Sequence, residues 1–358
     1  MQKRINRLRT SLTERDIDGF FTVHYPNVRY LSGFSGSHGL VYITKNRALF
    51  ISDGRYKEQA KNEVKDFEID ILEEPISLAK RMWELISDNQ PKKLAIESVH
   101  TRLASYLRLV EWFPEEGLTA TVNLVENLRA TKSPEEVQKL QEAIRINDQS
   151  FSQILKYIAP GIRENQVAAR IDYLQKMNGA SNPAFETIVA SGENGAFPHG
   201  RPTQKKIKKG DLVTIDMGCV YEGYVSDMTR TIAIGKPDKK QREIYKIVQE
   251  AQRRSKNIAR SGVKIVDVDA AARDYIKSEG YGDYFNHGLG HGIGLDIHEA
   301  PHISKRKKEK RLESGMVFTN EPGIYIAGWG GVRIEDVLIV TDEGSELLSH
   351  SPRELIEI

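Results

Sequence analysis

The sequence predicts an α+β protein in two parts, a smaller α/β domain over residues 1–125 and a larger catalytic domain over 126–358. Three observations carry this. At 358 residues the chain is long enough for two cores, and 39% hydrophobic with 28% charged residues is the balance of a soluble globular protein. Short apolar strands alternate with helical patterns in the first third, as in α/β domains. Beyond residue 133, long helical stretches share the chain with strands and Gly-rich turns.

Ile5, Leu8 and Leu12 recur at helical spacing, so the chain opens with an amphipathic helix. Strands are expected over 19–23, 39–44 and 48–51, with a loop at 30–39, where Gly and Ser are dense. Asp53-Gly54-Arg55-Tyr56 leads into a helix, and strands near 67–72 and 94–97 alternate with helices near 76–86 and 102–112. The first domain ends near Val125. Ser133-Pro134-Glu135-Glu136 then starts a long helix: Ser is a good N-cap, Pro suits the first helical position and Glu136 completes a capping box. That helix runs to about Tyr157, before Pro160-Gly161, and others are expected over 164–177, 239–260 and 266–278.

Composition excludes several function classes. A net charge of +2 gives no case for nucleic acid or an anionic membrane surface, and the basic run at 305–311 reads as a solvated loop. No apolar run reaches the ~20 residues that span a bilayer, and the N-terminus has no apolar signal region. The single cysteine, Cys219, reads as a small core residue and ties the chain to no oxidising compartment; a cytoplasmic protein is expected.

The stretch 211–234 reads as a β-hairpin with its turn at Glu222-Gly223. With a two-residue loop, Tyr221 pairs with Tyr224 and Asp216 faces Thr229. Asp216 and Asp227 then lie diagonally on one face, ~7–8 Å apart. Two carboxylates aimed at one point repel unless a cation sits between them. A solvated hairpin face is the ordinary alternative, and a bulge would move one Asp to the other face.

Four further segments carry residues suited to metal or acid–base chemistry: Phe197-Pro198-His199-Gly200, HGLGHGIGLDIHE at 287–299, TNEPGIY at 319–325 and GVRIED at 331–336. The glycines around His287, His291 and His298 argue against a helical ligand pair and for backbone packed closely around imidazoles. Strand alternation puts Arg333 and Glu335 on one face, where an ordinary ion pair would also explain Arg333. Each carboxylate alone reads as solvated, but Asp216, Asp227, Glu321, Glu335 and His291 together form an oxygen-rich set with one nitrogen. Such donors suit Mn²⁺, Co²⁺, Fe²⁺ or Zn²⁺ and not a thiolate site.

From about residue 128 onward these segments resemble the pita-bread metallopeptidases, the family of aminopeptidase P, prolidase and methionine aminopeptidase. The motifs are DMGCVYEGYVSD, the GHG around His291, EPG at Glu321 and RIED at 333–336. The resemblance implies a pita-bread catalytic domain and a centre of two divalent metal ions, Mn²⁺ or Co²⁺ ahead of Zn²⁺ or Fe²⁺. It implies Asp216 on one ion, His291 and Glu321 on the other, and Asp227 and Glu335 bridging both. All five positions are filled, unlike in creatinase-like and histone-chaperone relatives, which weighs against a binding-only protein. His199 and His298 resemble the family's substrate-binding and transition-state histidines, Arg333 a neighbouring substrate contact and Glu321 the proton shuttle.

The leading domain separates this chain from methionine aminopeptidases. YLSGFSGSHG at 30–39 and SDGRYKEQA at 52–60 look like segments of the aminopeptidase P N-terminal domain, which implies a substrate contact for Arg55; a surface arginine at a helix start is its ordinary reading. The expected activity is therefore Xaa-Pro aminopeptidase (aminopeptidase P), with Xaa-Pro dipeptidase (prolidase) as the alternative, on proline-containing peptides and in a homodimer. A bond to proline is a tertiary amide without N–H, so such a site must recognise ring shape rather than a donor.

Overall fold

Residues 1–73, 75–306 and 310–358 are described in the computed structural model of the chain, which divides into the units Met1–Arg129 and Ala130–Ile358. Part of the expected basic loop, residues 307–309, lies outside the described residues. Among the described residues no helix is long and apolar enough to cross a membrane.

The first unit is built on one mixed six-stranded sheet. Its strands run in the order Glu68–Leu72, Ala48–Asp53, Leu40–Thr44, Gly19–Thr22, Leu94–Glu97 and Leu118–Thr121. Phe21, Tyr42, Leu49, Met82, Leu94 and Phe113 form part of its core, so the opening strands and the helix Leu78–Ile86 bury one another. One expectation needs correction. The Gly/Ser-rich stretch at 30–39 is not all loop, because its first residues complete the helix Tyr25–Ser32, started by Pro26 in the first turn and ended by Gly33. The unit closes with the short helix Leu124–Arg129; six residues are too few for a helical period to show in sequence.

In the second unit the capping box forms as the sequence requires: Glu136 N donates to Ser133 Oγ at 3.4 Å and Ser133 N to Glu136 Oε2 at 2.9 Å. The helix it starts, Pro134–Ile154, and the helix Glu164–Met177 share a core with the strands Ile188–Ser191, Leu212–Met217 and Met228–Ala233 through Phe151, Val167, Ile171, Val213 and Ile232. The helices Lys239–Ile258 and Ile265–Ser278 bury Ile244, Val248, Val268 and Ala272 against Phe318, Val332 and Leu338 of the C-terminal strands. Those strands form a five-stranded sheet, in the order Glu299–Ile303, Gly290–Gly292, Val317–Asn320, Asp336–Val340 and Ser345–Leu347, and the hairpin Gly323–Ile326 with Gly330–Arg333.

The hairpin at 211–234 keeps one register from tip to base. Glu222 and Gly223 both have positive φ, 44° and 81°, the backbone of a type I′ turn. Tyr221 pairs with Tyr224 and Asp216 with Thr229. The ladder is interrupted at Gly218 and Asp227, where a Cβ on Gly218 would stand 2.2 Å from Ser226 O. Beyond this break the tip pairs with Asn182–Pro183, while the base pairs with Ile188–Ser191. Cys219 is fully buried there.

Candidate metal centre and active site

Strand pairing assembles the site. Asn320 pairs with Asp336, so Glu321 and Glu335, each one residue beyond its strand, emerge at the same end of the five-stranded sheet. Gly292 pairs with Phe318, and His291 N donates to Thr319 Oγ1 at 3.0 Å, bringing the imidazole beside Glu321. The hairpin joins through Glu335 N, which donates to Thr229 O at 3.0 Å, and through Thr229 Oγ1, which donates to Glu335 Oε2 at 2.8 Å. Arg230, 1% exposed, locks this junction by donating to Asp336 Oδ1 at 2.7 Å and to Pro352 O at 2.7 Å.

Ligand atoms of Asp227, His291 and Glu335 all lie within 4.8 Å of one another. His291 Nε2 stands 3.6 Å from Asp227 Oδ2 and 3.4 Å from Glu321 Oε1. His291 Nδ1 is 3.2 Å from Gly292 O, which assigns the proton to Nδ1 and leaves the Nε2 lone pair facing two carboxylate oxygens. Burial, reinforced by His298, pushes the His291 pKa down to about 3, so a proton is not what holds these atoms together. Burial, with Glu335 next, holds the Asp227 carboxyl well above its ordinary range; burial and then Glu321 do the same to Glu335. Burial pushes Glu321 up to about 7.

Asp216 Oδ1 and Glu335 Oε1 are buried without a hydrogen-bond partner among the described residues. One guanidinium, Arg333, whose Nη2 donates to Asp216 Oδ2 at 2.7 Å, does not offset four carboxylates. Oxygens left without donors, an unprotonated imidazole nitrogen and an excess of negative charge fit divalent cations of the O/N-preferring kind.

The surrounding pocket, of about 430 Å³, lies in the size range of small-ligand sites. Phe185, Ile188, Pro198 and Ile297 give it an apolar wall, and His199, His298 and Arg333 line it with the carboxylates. The His298 ring meets the His291 ring edge-on, centroids 4.2 Å apart. Arg333 directs its donors to Asp216, Thr229 Oγ1, Pro198 O and Tyr325 OH, so it ties the loop of His199 to the hairpin. Arg55 lies in the other unit, in a two-pronged pair with Asp53 at 2.9 and 2.8 Å.

Two residues of this site, Tyr325 and His287, fall in segments the sequence marks but receive no role from it. His287 Nδ1 is 2.7 Å from Gly288 O, so Nε2 accepts the Tyr325 hydroxyl proton at 2.9 Å, and Tyr325 in turn accepts from Arg333 Nη1 at 2.9 Å. Burial pushes His287 down to about 4 and Tyr325 up to about 12, so both stay neutral. The available signal was strand register: Gly323 pairs with Arg333, which sets Tyr325 diagonally beside it. A second imidazole–carboxylate group, His24, His100 and Glu126, is of another kind. The two rings stack at 3.5 Å and 6°, so their in-plane lone pairs run side by side and do not converge on one ion.

Comparison with known proteins gives the family of the chain. The sequence matches the Creatinase/Prolidase N-terminal domain over residues 4–131 and Metallopeptidase family M24 over residues 138–342. A Xaa-Pro dipeptidase of Pyrococcus furiosus is 41% identical over 99% of this chain and 100% of its own length. The structure of a Xaa-Pro dipeptidase from Bacillus anthracis is 43% identical, with TM-score 0.96 over 100% of this chain and 99% of that one. An X-Pro aminopeptidase structure from Thermotoga maritima is 36% identical, with TM-score 0.89 over 96% of this chain and 99% of that one. The chain therefore belongs to metallopeptidase family M24, with its pita-bread fold and the family's creatinase/prolidase N-terminal domain.

Proposed function

We propose that this chain is a metal-dependent Xaa-Pro peptidase, and specifically the dipeptidase (prolidase). The carrying observation is the carboxylate–imidazole cluster with two buried oxygens that no donor among the described residues reaches. The sequence motifs alone favour aminopeptidase P. The relatives reverse that order, because those named Xaa-Pro dipeptidase are 41% and 43% identical, against 36% for the X-Pro aminopeptidase.

Asp216, Asp227, His291, Glu321 and Glu335 would hold two divalent cations, Mn²⁺ or Co²⁺ foremost. Such ions supply Lewis-acid chemistry, lowering the pKa of water and polarising the scissile carbonyl. Glu321, 3.4 Å from His291 Nε2 at the edge of the cluster, would take the proton of the attacking water and return it to the leaving proline nitrogen. His298, kept neutral by burial, and His199 face the same pocket and donate N–H to the developing oxyanion. Phe185, Ile188, Pro198 and Ile297 offer the ring of proline an apolar wall that asks for no donor. Arg333 acts by holding Asp216 and the His199 loop in place. Arg55, paired with Asp53, is the weakest of the assignments. A homodimer, on family resemblance, completes the reading, and light scattering would check it.

Hydrolysis of Gly-Pro and Arg-Pro-Pro, with Mn²⁺ or Co²⁺ and with chelator, tests the proposal. Chelator-sensitive cleavage of the dipeptide alone is expected. Cleavage of the tripeptide would move the activity to aminopeptidase P, and no cleavage of either would overturn the Xaa-Pro reading.

A further inference from the structure

We propose that the buried Lys132–Glu299 ion pair is a positioning device for His298, holding the loop 293–298 so that this imidazole stays against His291 in the pocket. The inference rests on the reading of His298 as an active-site residue.

Lys132 and Glu299 have side chains only 1% and 2% exposed, with Nζ donating to Oε1 at 2.8 Å and also to Ala130 O at 3.3 Å. Two charges taken this far from water regain little net stability, and an apolar pair of similar volume is often at least as stable. Stability is therefore a weak reason for the pair, and its location supplies a better one.

The Glu299 carboxylate sits inside the loop that carries His298. Gly292 pairs with Glu299 at the loop's base, and Val225 N donates to Gly294 O at 2.9 Å on its outer side. A Cβ on Gly294 would stand 2.4 Å from Glu299 Oε1 and 3.0 Å from Oε2, so the loop backbone packs directly on the carboxylate. Asp296 N donates to Oε2 at 3.4 Å. Ile297 and His298, the last two residues before Glu299, both line the pocket. Among the described residues no hydrogen bond holds the His298 side chain, and its only ring contact is with His291. The placement of that imidazole is inherited from its loop, and the loop is seated on an anion that Lys132 fixes from the far side.

Unpairing the carboxylate should let the loop shift while leaving the metal-ligating side chains, which sit on other strands or at His291, in place. A displacement of about 1 Å at a reacting group costs on the order of 10²-fold in rate.

The test is Gly-Pro hydrolysis by the Mn²⁺-loaded full chain, comparing Lys132→Met, Glu299→Gln, the apolar pair Lys132→Met/Glu299→Leu, and His298→Ala. The single variants and the apolar pair are expected to lose kcat on the order of 10²-fold. Mn²⁺ stoichiometry should be unchanged, and the apolar pair should keep the parental melting temperature even where a single variant folds poorly. In a His298→Ala background, adding the apolar pair should cost less than about twofold more, because both act through one imidazole. Parental kcat in the apolar pair, or a full additive loss on top of His298→Ala, would overturn the proposal alone. Parental kcat in His298→Ala would overturn the reading of His298 and the proposal with it.

Discussion

Glu164 and Glu335 are both buried carboxylates in the second unit, 0% and 2% exposed, yet they titrate in opposite directions. Burial pushes Glu164 up, but donors from Thr203 and Ser191 outweigh it and the net shift is down. Its oxygens accept from Ser191 N and Ser191 Oγ, both at 2.8 Å, from Thr203 N at 3.0 Å, and from Thr203 Oγ1 and Asn194 Nδ2. Glu335 accepts from Thr229 Oγ1, while its other oxygen meets no donor among the described residues and its neighbours Glu321 and Asp216 raise it further. Burial alone does not separate a structural carboxylate from a functional one. The supply of protein donors does: Glu164 is saturated, and Glu335 faces acceptors that only a proton or a cation can reconcile with it.

The sharpest way to break this contrast is to neutralise one member of each class. Asp227→Asn or Glu335→Gln should lower Mn²⁺ binding and cut kcat by at least about 10³-fold, the scale of several kcal/mol of lost Lewis-acid stabilisation. The metal-free variants should melt no lower than the metal-free parent, because a neutral amide replaces a carboxyl whose charged form the site disfavours. Elemental analysis alongside thermal melting in chelator reads both, and a large drop in metal-free melting temperature would mean that these carboxylates are structural after all.

Glu164→Gln should behave in the opposite way. An amide places N–H groups against existing donors, and a stability loss of about 3 kcal/mol is expected. Saturating Mn²⁺ should not close the gap between variant and parent. If it did, Glu164 would belong with the metal cluster.

The smallest effect is a pH slope. Glu321 in the folded, metal-free protein has its pKa raised to about 7 from an ordinary 4.5. The stability this contributes is complete below 4.5 and lost as pH rises through about 7; Asp227 and Glu335 shift in the same direction. His287 and His291 shift downward from 6.5, so above that pH their contribution is constant and the carboxylates alone set the slope. As pH rises from 6.5 through about 7, metal-free protein should lose stability at up to about 1.4 kcal/mol per pH unit for each proton involved. Mn²⁺ should flatten that slope, with proton release on binding measurable by calorimetry in two buffers. A metal-free melting temperature that rises across this window would contradict the assignment.

Several features were legible in sequence because they are local. The Ser133–Glu136 capping box, the Glu222-Gly223 turn and the register that pairs Asp216 with Thr229 depend on residues a few positions apart. The motif-bearing segments around His291, Glu321 and Glu335 were legible as chemistry, through a resemblance that spans most of the catalytic domain. The helix Tyr25–Ser32 was partly hidden, because Gly and Ser composition at 30–39 speaks for loop while Pro26 and Gly33 set helix ends.

What the sequence by itself determined was the two-part α+β architecture, the hairpin and the inventory of acidic, imidazole and guanidinium groups. Tertiary structure alone decided which of them share one negative pocket, since residues 216, 227, 291, 321 and 335 converge through pairing between strands far apart in the chain. It also decided that Lys132 meets Glu299, that Tyr325 links His287 to Arg333, and that Glu164 is saturated. The physical reason is that desolvation and donor supply depend on neighbours in space, and for a buried charge those two quantities fix whether it is a brace or a reactant.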